Sequence, residues 1–528
     1  MDFIPVIKNY VDTVLQSASD PNKKSPLLAD TIVIAENAPL RQKSGVTKSA
    51  AGYSEGKEKT GYEIISSNLV YQFQFLRTML LLSRLTGDSS YENRVREIYQ
   101  FHYDHLLMSS GRLVWGNHHD IDLLTLHDNG SVHELKCNYP DYDTMFCVDA
   151  QKTENAIRAF WRGHILNWNT LDLSRHAEEY DAYGKPTSTT DGLEGVFDHP
   201  YYHLPPFFKV EGLTFYNTAS DLIYASLKLY EHTGNEKAME TAAHLYERYL
   251  THRHPRTQLD SYLFGLNFEN ADEFMPTQIE VCGDRAIQQM WIDFGPGIYE
   301  GHLLNESTTN EIYGGGGQVM LLCNQWGGEI GKRMFESFSI GAHAYVEHAY
   351  DFDRNLFRGL LSDGTDLSDY HATNWGYFGG QPCPAFAPQS EQTLTYALTA
   401  LQTEDSLMWN AVRNILRNAD IGDIGALGGR EPSLNDATSN ADETNAALLV
   451  HLYYHSQNEK YLAAAESILK NAIAEQMEGN YFKLDSNPNY CGLSAATPFV
   501  ALYLEAAKRG IAEIPVNIYH RILSSWRR

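Results

Sequence analysis

Three short runs bring together the side chains best suited to chemistry: Trp115-Gly116-Asn117-His118-His119-Asp120, Val132-His133-Glu134-Leu135-Lys136 and Leu173-Ser174-Arg175-His176-Ala177-Glu178. Two imidazoles and a carboxylate from separate segments suit a divalent transition metal that keeps open positions, because imidazole favours the borderline metals and the carboxylate supplies charge. With 21 His in 528 residues, such a trio is easily assembled by accident. Residue type alone therefore leaves two readings for each: His118 and His119 as ligands or as hydrogen-bonding loop residues, and Glu134 as a ligand or as an ion partner of Lys136. Arg175, read by type, is a clamp for a carboxylate.

These runs must be held by helices. Leu80 to Leu107 around Thr86-Gly87-Asp88, Leu222 to Leu250 around Thr233-Gly234-Asn235, Leu448 to Ile473 around Ser456-Gln457-Asn458, and more weakly Thr395 to Ile415 around Thr403-Glu404-Asp405, share one pattern. Apolar residues recur at three and four, a short turn follows, and a second amphipathic helix begins. One hairpin cannot bury its own stripe, so hairpins must stack, either as an open solenoid or as a closed ring of inner and outer helices. The long loops rich in Gly, Pro, Trp and His favour closure, since such loops suit the mouth of a barrel. The expected fold is all-α, a closed toroid of helical hairpins, with residues 1–60 an N-terminal arm and 61–528 a single domain. A β-rich insertion is expected at about 111–150, with its turn at Asp128-Asn129-Gly130. A helix is expected from Thr153, as N-cap, to Trp168. Residues 180–215 and 253–320 read as loops, and the run Gly314 to Gly317 lacks the ending of a phosphate loop, which leaves flexibility or close backbone packing as its use.

The net charge of -26 excludes nucleic acid as a general partner, because a phosphate backbone needs clustered Lys and Arg. The opening Met1-Asp2-Phe3-Ile4-Pro5-Val6-Ile7-Lys8 shows no basic segment followed by a long apolar run, and no membrane span is visible. Six scattered Cys without CxxC spacing argue for reduced thiols. Together these lead to an expected cytoplasmic location.

The run His133-Glu134-Leu135-Lys136, followed by Pro140, Tyr142, Met145-Phe146, the Phe160-Trp161-x-Gly163-His164 helix and the Arg175-His176 pair, resembles the family 2 pectate lyases, a polysaccharide lyase family. Thinner similarity lies at His254-Pro255-Arg256-Thr257, Phe294-Gly295-Pro296 and Ile312-Tyr313-Gly314. The resemblance implies an (α/α) barrel of about seven hairpins, with His118, Glu134 and His176 as metal ligands and His119 as the alternative to His118. It implies Arg175 as catalytic base, a divalent transition metal with Mn²⁺ the first choice, and β-elimination of polygalacturonate to 4,5-unsaturated oligogalacturonides. An acidic polysaccharide on so acidic a protein needs a locally basic groove. Lys136, Arg253, Arg256 and Arg285 are its candidates, against the ordinary surface role of such residues. Trp115, Trp161, Tyr201, Tyr202, Trp291 and Trp375 are candidates for stacking on sugars or, as such aromatics more commonly are, for the core. The rivals are an α/α-barrel glycoside hydrolase using two of Asp120, Asp122, Glu178, Glu179 and Asp284, a sugar epimerase with histidine proton shuttles, and a binding-only barrel.

Overall fold

The computed structural model describes residues 2–43, 63–116, 118–177, 188–205, 208, 210–212, 214–264, 303–369, 384–485 and 487–512. They fall into two compact units, the first comprising residues 1–160, 187–193 and 419–528 and the second 161–186 and 194–418.

The first unit holds α1 (Ile4–Ser17), the hairpin of α2 (Phe73–Thr86) and α3 (Ser89–His105), and α4 (Tyr142–Val148), after which α5 (Ala150–His164) begins. Late in the chain it adds the hairpin of α12 (Glu443–Ser456) and α13 (Lys460–Gln476), and then α14 (Thr497–Lys508). Helix α14 packs on α1, α2, α12 and α13. The second unit is built from the hairpins α6 (Tyr216–Thr233) with α7 (Glu236–His252), α8 (Gly316–Trp326) with α9 (Gly328–Ala349), and α10 (Ser390–Thr403) with α11 (Ser406–Asn418). The expected all-α class is therefore observed, as α/α hairpins with small sheets.

The hairpin turns work as their residues dictate. Gly87 and Gly234 end their helices at φ +72° and +70°, and Glu404 and Gln457 adopt the same left-handed conformation at +55° and +58°. Asp88, Asn235 and Asp442 then accept backbone N–H groups to open the next helix, each such cap being worth about 1 kcal/mol. The hairpin α8–α9 begins inside the stretch expected to be loop. Its glycines are a packing requirement: side chains of Tyr216 and Thr395 occupy the space that a Cβ on Gly316 or Gly317 would need. Residues Asn310–Gly315 lead into α8 as a π-helical turn.

Residues 2–43, within the stretch expected as an N-terminal arm, carry regular structure. Beyond α1, strands β1 (Thr31–Val33) and β2 (Ala38–Pro39) join β8 (Met477–Glu478), β9 (Tyr481–Leu484) and β10 (Asn487–Gly492) in one five-stranded sheet, ordered β8-β9-β10-β1-β2. The expected insertion is a three-stranded sheet of β3 (Ser66–Ser67), β4 (His118–Asp122) and β5 (His127–Val132). Its turn lies earlier than Asp128-Asn129-Gly130 suggested. The Asp122 carboxylate accepts from Leu124 N and Thr125 Oγ1, and Leu126 takes φ +59°, so the chain reverses between Asp122 and His127. Helix α5 likewise starts before Thr153, whose hydroxyl bonds back to Asp149 O, while Asp149 Oδ1 accepts from Lys152 N. Of the six Cys, Cys137, Cys147, Cys323 and Cys491 are free thiols, and the other two lie outside the described residues. No described helix is long and apolar enough to cross a membrane.

Candidate active site

In the first unit the site is assembled around Glu134, which is 4% exposed. Backbone pairing sets His118 opposite Val132, with a bulge between His118 and His119, so the strand carrying His118 runs beside the segment that leads to Glu134. The Trp115–Gly116 stretch lies directly on Glu134: a Cβ on Gly116, which sits at φ +118°, would fall 2.9 Å from Glu134 O. Only glycine permits that approach. Asn68 grips both peptides that flank Gly116, Nδ2 donating to Gly116 O at 2.6 Å and Oδ1 accepting from Gly116 N at 3.3 Å. Beyond Glu134 the chain leaves extended geometry, with Cys137 and Tyr139 at positive φ. It is held there by Asn138 Nδ2 donating to Glu134 O and by Arg77 donating to Tyr139 O.

His119, the alternative ligand, is buried with Nε2 3.3 Å from Asp128 Oδ2 on the strand opposite, and burial lowers its pKa. The side chain of His118 lies outside the described residues. His133, next to Glu134 in the chain, forms an aromatic cluster with Trp115 and Phe160, stacking on Phe160 at 4.7 Å.

In the second unit Arg175 and His176 follow a small hairpin of β6 (Ile165–Asn167) and β7 (Asp172–Leu173). Three restraints hold it. Arg248 donates to the carbonyls of Thr170 and Asn169 at the turn. Asp172 accepts from the N–H groups of Glu211 and Gly212, and burial pushes this carboxyl up to about 6 despite those bonds. His164 bonds Ser174 by both main chain and side chain. The Arg175 guanidinium lies over the ring of Phe215 at 5.5 Å, and His176 is half-buried.

The expected groove cations divide. Arg253 is committed to a buried ion pair with Asp260, Nη2 to Oδ1 at 2.6 Å, an arrangement that serves the packing of its own unit. Lys136 is 5% exposed, beside Glu134 in sequence. Arg256 is at the surface, its Nη2 donating to Asp363 O, and Arg285 lies outside the described residues. Trp115 and Trp161 are core residues, as is Trp168. Tyr202 is 53% exposed, Tyr201 stacks on His244 at 4.0 Å, and Trp291 and Trp375 lie outside the described residues. Of the hydrolase candidates, Asp120 takes hydrogen bonds from Ser66 and Asn129, and Asp122 from Ile65, Leu124 and Thr125. Both hold the sheet together. Glu178, Glu179 and Asp284 lie outside the described residues.

Among the described residues no three His, Cys, Asp or Glu side chains converge as a metal-holding group. The donor chemistry of the individual residues nevertheless fits a borderline cation, since Glu134 is a buried carboxylate and the Nε2 of His176 is shielded from solvent. Asn68, His164, Asp172 and Arg248 are site-building residues that the sequence reading missed. The Phe160-Trp161-x-Gly163-His164 run was the one available signal for His164.

Comparison with known proteins gives the chain its context. It is 27% identical over 388 residues, 71% of this chain and 67% of the other, to a pectate disaccharide-lyase of Dickeya dadantii (strain 3937). Among solved structures it is similar to an α-1,6-mannanase of Salegentibacter sp. HEL1_6, at 10% identity and TM-score 0.37 over 96% of this chain and 99% of that one. It is also similar to a D-mannose isomerase, at 11% identity and TM-score 0.42 over 89% and 97%. Residues 26–522 match the family described as periplasmic pectate lyase. That description overturns the cytoplasmic location expected from the opening residues and the scattered Cys. The chain is thus a polysaccharide lyase and belongs to the periplasmic pectate lyase family.

Proposed function

We propose that the protein cleaves α-1,4-linked polygalacturonate by metal-assisted β-elimination, leaving a 4,5-unsaturated uronate at the new end. The observation that carries the reading is buried Glu134, its main chain laid against Gly116 and following the strand segment paired with His118, in a chain of this family. Sequence identity to a pectate disaccharide-lyase supports the substrate class.

The C5 proton of a galacturonate is weakly acidic, because the neighbouring carboxylate stabilises a carbanion poorly. A divalent cation, Mn²⁺ being the first choice, held by His118, Glu134 and His176, would supply Lewis-acid stabilisation of the substrate carboxylate as charge develops. Arg175 takes the C5 proton, the C4–O bond breaks, and its electron pair leaves on the glycosidic oxygen. Arginine is a demanding base, with a reference pKa above about 12. A base of that strength matches so weak a carbon acid. Adjacency of Arg175 to His176 tethers base and ligand within one short segment.

Incubation with polygalacturonate should generate the ultraviolet absorbance of an unsaturated uronate, a chelator should remove the activity, and Mn²⁺ should restore it. Arg175→Ala should lower turnover about 10²- to 10⁴-fold, the usual contribution of a positioned base. Chelator-resistant release of saturated sugars would favour a hydrolase instead.

A further inference from the structure

The base has to be aimed, and among the restraints on its hairpin the one on the residue just before it comes from His164. Strands β6 and β7 are short, and Arg175 lies just past their last paired residues, Ile165 and Leu173. A side chain at the loose end of so small a hairpin would swing with its peptide. His164, the last residue of α5, removes that freedom by taking both main-chain groups of Ser174. Ser174 N donates to His164 O at 2.9 Å, and His164 Nδ1 lies 2.8 Å from Ser174 O. A carbonyl can only accept, so Nδ1 carries the proton and the tautomer is fixed at that nitrogen. The carbonyl so held belongs to the peptide whose nitrogen is that of Arg175, and its orientation sets the direction in which the Arg175 side chain departs. His164 is 0% exposed, so a lost bond there would not be replaced freely by water. Arg248 and Asp172 also restrain the hairpin, but at the turn and at β7; His164 alone of the three acts on the residue preceding Arg175.

We propose that His164 is a positioning residue for Arg175, acting through the Nδ1–H bond to Ser174 O and touching no substrate. The inference rests on Arg175 being the base. Asparagine places its amide nitrogen where histidine places Nδ1 relative to Cβ, whereas glutamine places it where histidine has Nε2, and phenylalanine keeps the ring without the donor. The geometry therefore ranks the substitutions.

Steady-state kinetics on polygalacturonate, corrected for folded fraction by circular dichroism, would compare wild type with H164N, H164Q and H164F, and H164F with wild type in an Arg175→Lys background. Expected are turnover for H164N within about threefold of wild type and losses of about 10- to 100-fold in kcat for H164Q and H164F, the scale of a misaligned group. Their KM should change less than about threefold, and H164F should cost less than about twofold further once Arg175 is Lys. Wild-type kcat in H164F, equal loss in H164N and H164F, or the same loss in both backgrounds would each overturn the inference and mark His164 as a core residue only. Arg175→Ala distinguishes the two levels: its wild-type turnover would overturn the base assignment and this inference with it. Loss in Arg175→Ala beside unaffected H164F would overturn the inference alone.

Discussion

Gly116 carries a demand that composition does not reveal, because the space a methyl group would occupy belongs to the peptide of Glu134. Gly116→Ala would set a Cβ 2.9 Å from Glu134 O at a φ of +118°, a conformation costly for any L side chain. We expect a loss of about 1–3 kcal/mol in stability and, in the protein that remains folded, weaker Mn²⁺ binding, since the strained peptide adjoins a proposed ligand. Thermal melts and calorimetric Mn²⁺ titration at matched folded fraction would check this, and unchanged Mn²⁺ affinity would detach Gly116 from the metal site. At this scale residue type alone leaves Glu134 and Arg175 with two readings each, and the family resemblance is what singles out Glu134, Arg175 and His176 as candidates. The sequence is silent on Asn68 and nearly so on His164, because a side chain that clamps someone else's peptide needs no particular spacing from it in the chain. Asn68 acts on a residue 48 positions away.

Elements were readable where a helix stop and a helix start stand side by side, as at Thr86-Gly87-Asp88 and Thr233-Gly234-Asn235. They were misread where side-chain chemistry outside the pattern decides. Asp122 makes the turn that Asp128-Asn129-Gly130 advertises, and the Gly-rich start of α8 resembles a loop because its helix must approach Tyr216 closely. Strand β3 hides another such case. Ser66 Oγ contacts Asp30 Oδ2 and also bonds Asp120 Oδ2, while Asp30 Oδ1 accepts from Asn68 N and Gln72 Nε2. One hydroxyl hydrogen cannot serve two carboxylates, and burial pushes Asp30 up to about 7. An unfolded aspartate titrates near about 3.9, so between roughly pH 4 and 7 the folded state keeps a proton that the unfolded state has released. The stability contributed by Asp30 is therefore full below about pH 4 and declines as pH rises through about 7. Asp30→Asn mimics the protonated form: its amide can donate to Ser66, whose hydrogen then serves Asp120, and its oxygen still accepts from Asn68 and Gln72. The melting temperature of Asp30→Asn should gain on that of wild type as pH is raised from 5 to 8, and parallel curves would refute the shared-proton arrangement.

Over the whole molecule, 67 acidic residues against 41 Lys and Arg set a long-range field that opposes the approach of a polyuronate, while capture at the site depends on short-range contacts. The two respond differently to salt. Raising ionic strength from 0.01 to 0.1 M shortens the screening length from about 30 to about 10 Å, which removes most of the repulsion between the polymer and the distant acidic surface. Contacts at a few ångströms with a shielded group such as Lys136, 5% exposed and a proposed substrate contact, would be screened far less. KM for polygalacturonate should therefore fall over this range, with kcat nearly constant because the elimination step takes place within the site. A short oligogalacturonide carries fewer charges outside the site and should show a smaller fall. Rates measured against both substrates across the salt series, with Mn²⁺ held saturating, separate the effects: a KM that rises from the lowest salt would mean that attraction by a basic groove outweighs the net charge even at long range, and the proposed balance would be reversed.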